Sequence, residues 1–347
     1  MQSAQMKPWH NQLTALRLLG IALLSAALSA CAPTNIQPMS STTSAATEAD
    51  EHELKTRADK LDQSFSAKGL ILKDADINAY ITEVAAKLLP DNPALASQFH
   101  VQVLRDPTVN AFALPNGSIY LHVGLLARLE NEAQLAHVLA HEIAHVTQRH
   151  GLRSHRSYTN KVVAAHVTDI LLGGTSIAYI PFAAAIAGYS REMELEADHE
   201  ALKTMSAAGY RLTATENLFE LIQEAKQSES VMHSIYASHP GDQSRQLQTR
   251  RFIETSDLEL NADGITGTEP YKAHLSEFLK RALPLKLRVK QYRLALDLAD
   301  SAISRLPNNP YFHYFRGEAL RLMADDPEGA AKEASWIEGQ PFKKNHD

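Results

Sequence analysis

Residues 141–145 read His-Glu-Ile-Ala-His, two imidazoles four positions apart with a carboxylate between them. On an α-helix, residues i and i+4 share one face about 6 Å apart along the axis. Both rings can therefore reach one zinc ion at about 2.0–2.1 Å. Glu142 is rotated by about 100° from His141 on the same turn, where it can take a proton from a water at the ion. A solvent-facing helix can match this pattern by chance. Here the surrounding residues are apolar (Leu135, Val138, Leu139, Ile143 and Val146), which points to a buried site.

A catalytic zinc needs a third protein ligand and one open position. Glu192, Glu194, Glu196 and Asp198 cluster some fifty residues further on, in a segment predicted to be helical from about Arg191 to Ala208. Glu194 and Asp198 are again i and i+4 and share one face. Glu194 is the candidate third ligand, and Asp198 can accept the remaining ring N–H of a ligand histidine, fixing its tautomer. The competing reading is an acidic solvated face paired with Arg191 and Lys203. His137 lies about 12 Å along the axis from His145, too far to join the same ion, and is read as a residue that packs or supports a ligand from behind. His239, beside Pro240, is a loop histidine. It is a candidate either to occupy the open zinc position as a gate or to stabilise an oxyanion.

The elements that must hold these groups follow from periodicity. Helices are expected from about Ala49 to Ala67 and from an Asp74 N-cap to Leu89, where Pro90 and Pro93 intervene. The period then becomes two around Phe99, Val101 and Val103, at residues 109–114 and at residues 118–123, with a Pro115-Asn116-Gly117 turn. These are predicted strands of a small antiparallel sheet. A long helix over Asn131 to Arg149 carries the histidines. Gly209 stops the acidic helix, and Thr213 with Glu216 has the capping-box pattern for another, reaching about Lys226. Residues 170–190 are 21 positions without a charge, long enough to span a bilayer but broken by Gly173, Gly174 and Pro181. Two buried helices over the site, a membrane-surface element and a true span all fit them.

The chain has 347 residues, 44% hydrophobic and 21% charged, which excludes a mostly disordered protein and suggests about two domains at ~150 residues each. Lys plus Arg is 34 against 40 Asp plus Glu, a net charge of −6 with no basic block, which argues against nucleic acid as a partner. Residues 252–269 lack periodicity and read as a linker. Residues 270–347 are predicted helical to about Glu338. Pro307 and Pro341 stand 34 residues apart there, a tetratricopeptide-like spacing. Too few repeats fit to stand alone, so this region should pack on the catalytic body.

The N-terminus accounts for the single cysteine. Lys7 and Arg17 precede an apolar run from Leu18 to Ala30, which has signal-peptide length. It ends in Leu28-Ser29-Ala30-Cys31, which resembles the lipobox of bacterial lipoproteins. The resemblance implies cleavage of residues 1–30 and acylation of Cys31. Ala32 in the next position implies the periplasmic face of the outer membrane of a Gram-negative cell. Residues 31–50, rich in Ser, Thr, Ala and Pro, read as a lipidated flexible tether.

Taken together, HEIAHVTQRH followed by SREMELEAD is similar to the HtpX / CAAX-prenyl-protease family of zinc metallopeptidases, whose pattern is HExxH followed by ExxxD. The likeness covers about residues 50–251 and includes the Asn110-to-Tyr120 strand-turn-strand. His239-Pro240 with Arg245 beyond it, together with the anchor, resembles the periplasmic lipoprotein branch. The resemblance implies an α+β, mainly helical zincin-type domain over residues 51–251, with one Zn²⁺ held by His141, His145 and Glu194, Asp198 behind them and Glu142 as general base. It implies an envelope endopeptidase acting on misfolded or unassembled proteins, with Asn110, Ala111, Phe112 and Ala113 as a substrate-pairing edge strand and the C-terminal helices as a site for a protein partner. The rival is a chaperone-like outer-membrane assembly factor whose zinc is structural or regulatory. The intact Glu142 argues against it, since a structural zinc needs no base.

Overall fold

A computed structural model describes residues 36–39, 45–90, 92–106, 108–159, 189–215, 243–256 and 263–331 apart from 289, with Leu218, Leu258 and Asn261 as isolated positions. Cys31, residues 170–188, Glu216, His239 and Pro240 lie outside the described residues.

The elements are α1 (Ala45–Ala67), α2 (Ala75–Lys87), a turn of helix α3 (Pro93–Ala96), β1 (His100–Leu104), β2 (Ala111–Ala113), β3 (Ser118–His122), α4 (Val123–Arg128), α5 (Glu132–Thr147), α6 (Arg191–Ala207), a 3₁₀ turn Leu212–Thr215, α7 (Gln243–Thr255), α8 (Thr268–Arg288), α9 (Tyr292–Arg305) and α10 (Pro310–Asp325). A further helical run covers 150–159. The starts obey the expected chemistry. The Asp74 carboxylate accepts the N–H of Ile77, and the Asn131 side chain accepts that of Gln134 at the head of the HExxH helix. Gly209 takes φ +76° just past α6, the left-handed stop glycine tolerates best.

The fold is α+β, as expected, but the sheet is mixed rather than antiparallel. Its order is β1-β3-β2, with β3 antiparallel to β2 through the tight turn and parallel to β1. Alternation identifies strands without giving their direction. The chain leaves β1, crosses to the far edge as β2, and returns down the middle as β3. All five residues of β3 are buried. Asp59 and Asp62 of α1 clamp the hairpin: both accept from the Asn116 amide, and Asp62 also accepts from Ser118 Oγ at 2.7 Å and Tyr120 OH at 2.6 Å. Gly117, at φ +93°, lies so close to the Gln98 carbonyl that a Cβ would run into it.

The HExxH helix α5 is buried from Glu132 to His145, and one apolar cluster surrounds it. That cluster takes Ile119 and Leu121 from β3, Ala201 and Met205 from α6, and Tyr271, Phe278 and Leu298 from α8 and α9. The last helices are thus part of the wall that holds the site. Tyr271 OH donates to the Leu126 carbonyl at 2.6 Å and Arg305 Nε to the Leu129 carbonyl at 3.1 Å. Residues 264–267 run against the same body, where Ala133 N–H donates to the Thr266 carbonyl and Ile265 bridges Tyr210. Residues 36–39 dock at the other end of α5. Met39 N–H donates to the Thr147 carbonyl, Arg149 donates to the carbonyls of Gln37 and Pro38, and Ile36 packs with Leu54 and Leu152. Among the described residues, no helix is long and apolar enough to cross a membrane.

Candidate metal centre

Helices α5 and α6 pack side by side, and Ala197 and Ala201, both fully buried, let α6 approach closely. The approach brings Glu194 onto His141 and His145. One donor atom from each of the three lies within 4.8 Å of the others. The Nε2 atoms of the two histidines are 2.9 Å apart, and Glu194 oxygens stand 3.4 Å from His141 Nε2 and 3.6 Å from His145 Nε2. A tetrahedral ion with bonds of about 2.0–2.1 Å places its ligand atoms about 3.3 Å apart. These separations bracket that value, and two neutral imidazoles with one carboxylate are the borderline-to-hard donor set that zinc takes. The residues fit the metal. Glu142, only 1% exposed, sits in the same helical turn.

Of the four clustered acids only Glu194 joins the histidines. Glu192 is exposed, and Glu196 pairs with Arg153 at 2.7 Å and His150 at 3.2 Å. Asp198 Oδ1 lies 3.0 Å from His141 Nδ1, the ring atom pointing away from the cluster. The electrostatics suit a cation. Burial alone would lower the His141 pKa, yet its bonds to Asp198 and Glu194 raise it to about 9. Burial would raise Asp198; the Arg245 guanidinium and His141 hold it well below the usual carboxylate range. His137 is buried beside them, and desolvation lowers it to about 4, consistent with a neutral packing residue.

Three residues complete the site that reasoning from sequence did not assign. Arg245, at the start of α7, forks onto Asp198 through Nε at 2.6 Å and Nη2 at 2.7 Å, and its Nη1 reaches Glu194 Oε2 at 2.6 Å. His150 Nδ1 stands 2.9 Å from His145 Nδ1. Tyr189 stacks on the His145 ring, centroids 3.9 Å apart and planes 16° from parallel. Arg245 was visible only as part of a motif; nothing local ties it to carboxylates some fifty residues earlier. His150 stands inside the quoted run HEIAHVTQRH, and that proximity was the available signal.

A small cleft touches the cluster at His145 and is also lined by Ala113, Leu114 and Pro115 of the hairpin and by Arg149 and Tyr189. Its hairpin wall is the end of β2, an edge of the sheet. Asn110 pairs with His122 and Leu114 with Ser118 through hydrogen bonds. The alternation turns the main chain of Phe112 toward β3 and that of Ala111 and Ala113 away from it.

The model of peptidase family M48 matches residues 72–251, more than half of the chain. The chain belongs to peptidase family M48. The matched stretch holds both arms of the cluster and Arg245. Among curated relatives, this M48 chain is 30% identical over 192 residues to the putative beta-barrel assembly-enhancing protease of Vibrio cholerae (52% of this chain, 40% of the relative). It is also 30% identical over 169 residues to the mitochondrial metalloendopeptidase OMA1 of Schizosaccharomyces pombe (48% and 50%). The beta-barrel assembly-enhancing protease of Escherichia coli K12 is 27% identical over 192 residues (52% and 39%). The chain thus spans half or less of the length of each of these relatives.

Proposed function

We propose that this chain is a zinc-dependent endopeptidase of the cell envelope, acting on misfolded or unassembled proteins. The observation that carries the reading is the buried cluster of His141, His145 and Glu194, with Glu142 buried in the same helical turn and a cleft at His145 that is also lined by the end of the edge strand. His141, His145 and Glu194 would hold one Zn²⁺. Zinc bound there supplies a Lewis acid for the scissile carbonyl and acidifies a water to a pKa of about 7. Glu142 would take the proton from the water as its oxygen adds to the scissile carbonyl carbon, and would deliver it to the amine released when the C–N bond breaks. Asp198, fixed by Arg245, orients His141. An extended peptide pairing with the outward main chain of Ala111 and Ala113 is read through its backbone, so selection rests on being unfolded rather than on sequence. His239 remains a candidate gate or oxyanion donor on its chemistry alone.

The envelope assignment is supported by the lipobox-like Leu28-to-Cys31 run, which would tether the protein to the periplasmic face of the outer membrane. It also draws on relatives whose names refer to beta-barrel assembly. Helices α9 and α10, with Tyr314 and Leu320 exposed on α10, form a repeat-like hairpin suited to a protein partner. The test is Glu142→Gln, with zinc content and casein cleavage measured on the purified protein. The variant should hold zinc as wild type does and cleave nothing. Cleavage near the wild-type rate removes Glu142 from the mechanism, and zinc binding without cleavage in wild type would favour an assembly factor with a structural metal.

A further inference from the structure

Resting on the zinc-site reading above, we propose that His150 and Glu196 are positioning residues for His145, a second support built separately from the Asp198–Arg245 support of His141. His145 turns Nε2 into the cluster, 2.9 Å from His141 Nε2 and 3.6 Å from Glu194. A metal ligand must offer a lone pair at that atom, so the ring proton sits on Nδ1. Nδ1 is 2.9 Å from His150 Nδ1, which therefore accepts. The His150 proton then sits on Nε2, 3.2 Å from Glu196 Oε2, and Glu196 also accepts from Arg153 Nη1 at 2.7 Å. Each link has one direction. Reversing the chain would put the proton on the very atom that binds the ion. Tyr189 stacked on His145 restrains the tilt of the ring, and the His150 contact sets its rotation.

The backbone is bent to make this contact. After α5 the chain passes through Arg149 at φ +54° and restarts as the helical run 150–159, which brings His150 back to His145. A non-glycine residue in the left-handed region carries a cost and persists only where the surroundings fix it. Arg149 is fixed by the carbonyls of Gln37 and Pro38 and by Glu51 at 3.3 Å. His150 is fully buried, whereas the Glu196 side chain is 37% exposed.

The test uses the full chain stripped of metal. Zinc affinity is measured by competition with a chromophoric chelator, and the unfolding midpoint of the metal-free protein is recorded beside it. His150→Leu should weaken zinc binding about 10–100-fold while leaving the metal-free midpoint near that of wild type. His150→Gln, whose amide can accept from His145 and donate to Glu196, should come back to within about threefold of wild type. Glu196→Ala should fall between them, and it carries the comparison if His150→Leu does not fold. Equal zinc affinity in wild type, His150→Leu and Glu196→Ala overturns the proposal, as does an equal loss in the Leu and Gln variants, which would mean packing alone. Wild type that binds no zinc overturns the underlying site reading instead, so the two failures are distinct.

Discussion

Replacing Arg245 with methionine keeps an unbranched stem but deletes a buried cation that three short contacts tie to Asp198 and Glu194. The guanidinium side chain is 8% exposed and both carboxylates are 0% exposed. Removing one partner of such a network strands the other charges, which costs about 3–5 kcal/mol. For a chain of this length, at about 2 °C per kcal/mol, the metal-free protein should melt about 6–10 °C lower. The assay is thermal unfolding in chelator, followed by calorimetry with excess zinc. Zinc should narrow the gap, because it returns a positive charge to Glu194, without closing it, because Asp198 still lacks its fork. Arg245→Lys should recover only part of the loss, since an ammonium cannot bind two carboxylate oxygens side by side. A metal-free loss under about 1 kcal/mol, typical of an exposed pair, would refute the account.

Glu194→Ala should abolish both zinc binding and cleavage, whereas Glu192→Ala should alter neither; zinc titration of the two separates the clustered acids. Asp106 accepts from Thr108 Oγ1 at 2.6 Å and lies 3.3 Å from His122 Nδ1. Burial would raise its pKa, but His122 and Thr108 hold it well below the usual carboxylate range. A depressed folded pKa contributes stability above the unfolded value and loses it as pH falls through the folded one. Asp106→Asn should therefore cost about 1–2 kcal/mol at neutral pH, discounted for its partial exposure, and the difference should shrink below about pH 4 in denaturant titrations. Cys31→Ser should abolish incorporation of labelled fatty acid in cells; equal labelling would sink the lipid anchor.

The parts of the site that lie within one helix were legible, and those that cross between elements were not. HExxH and ExxxD are each set by a spacing of four on a regular helix, so faces and even the pairing of Asp198 with a ring nitrogen followed from geometry. The cap at Asp74 and the stop at Gly209 were equally local. Strand direction was not, because β1 and β3 are parallel partners separated by β2 along the chain. Arg245 arrives from a helix a long way downstream, where a charged residue carries no local mark of burial. Residues 36–39 dock chiefly through main-chain N–H and C=O groups, which leave no trace in a side-chain pattern.

The support for His141 also has a consequence for timing. During vectorial synthesis or export, His141 and His145 emerge about a hundred residues before Arg245, and the α8 and α9 side chains that wall in the HExxH helix come later still. Until α7 docks, Asp198 and Glu194 lack their guanidinium, and the helix that carries the imidazoles lacks part of its packing. The proposed metal ligands His141, His145 and Glu194 therefore precede along the chain the segments that pack them in place. On the proposed peptidase reading, the order in which the polypeptide appears would delay assembly of the site until the later segments of the same chain have docked.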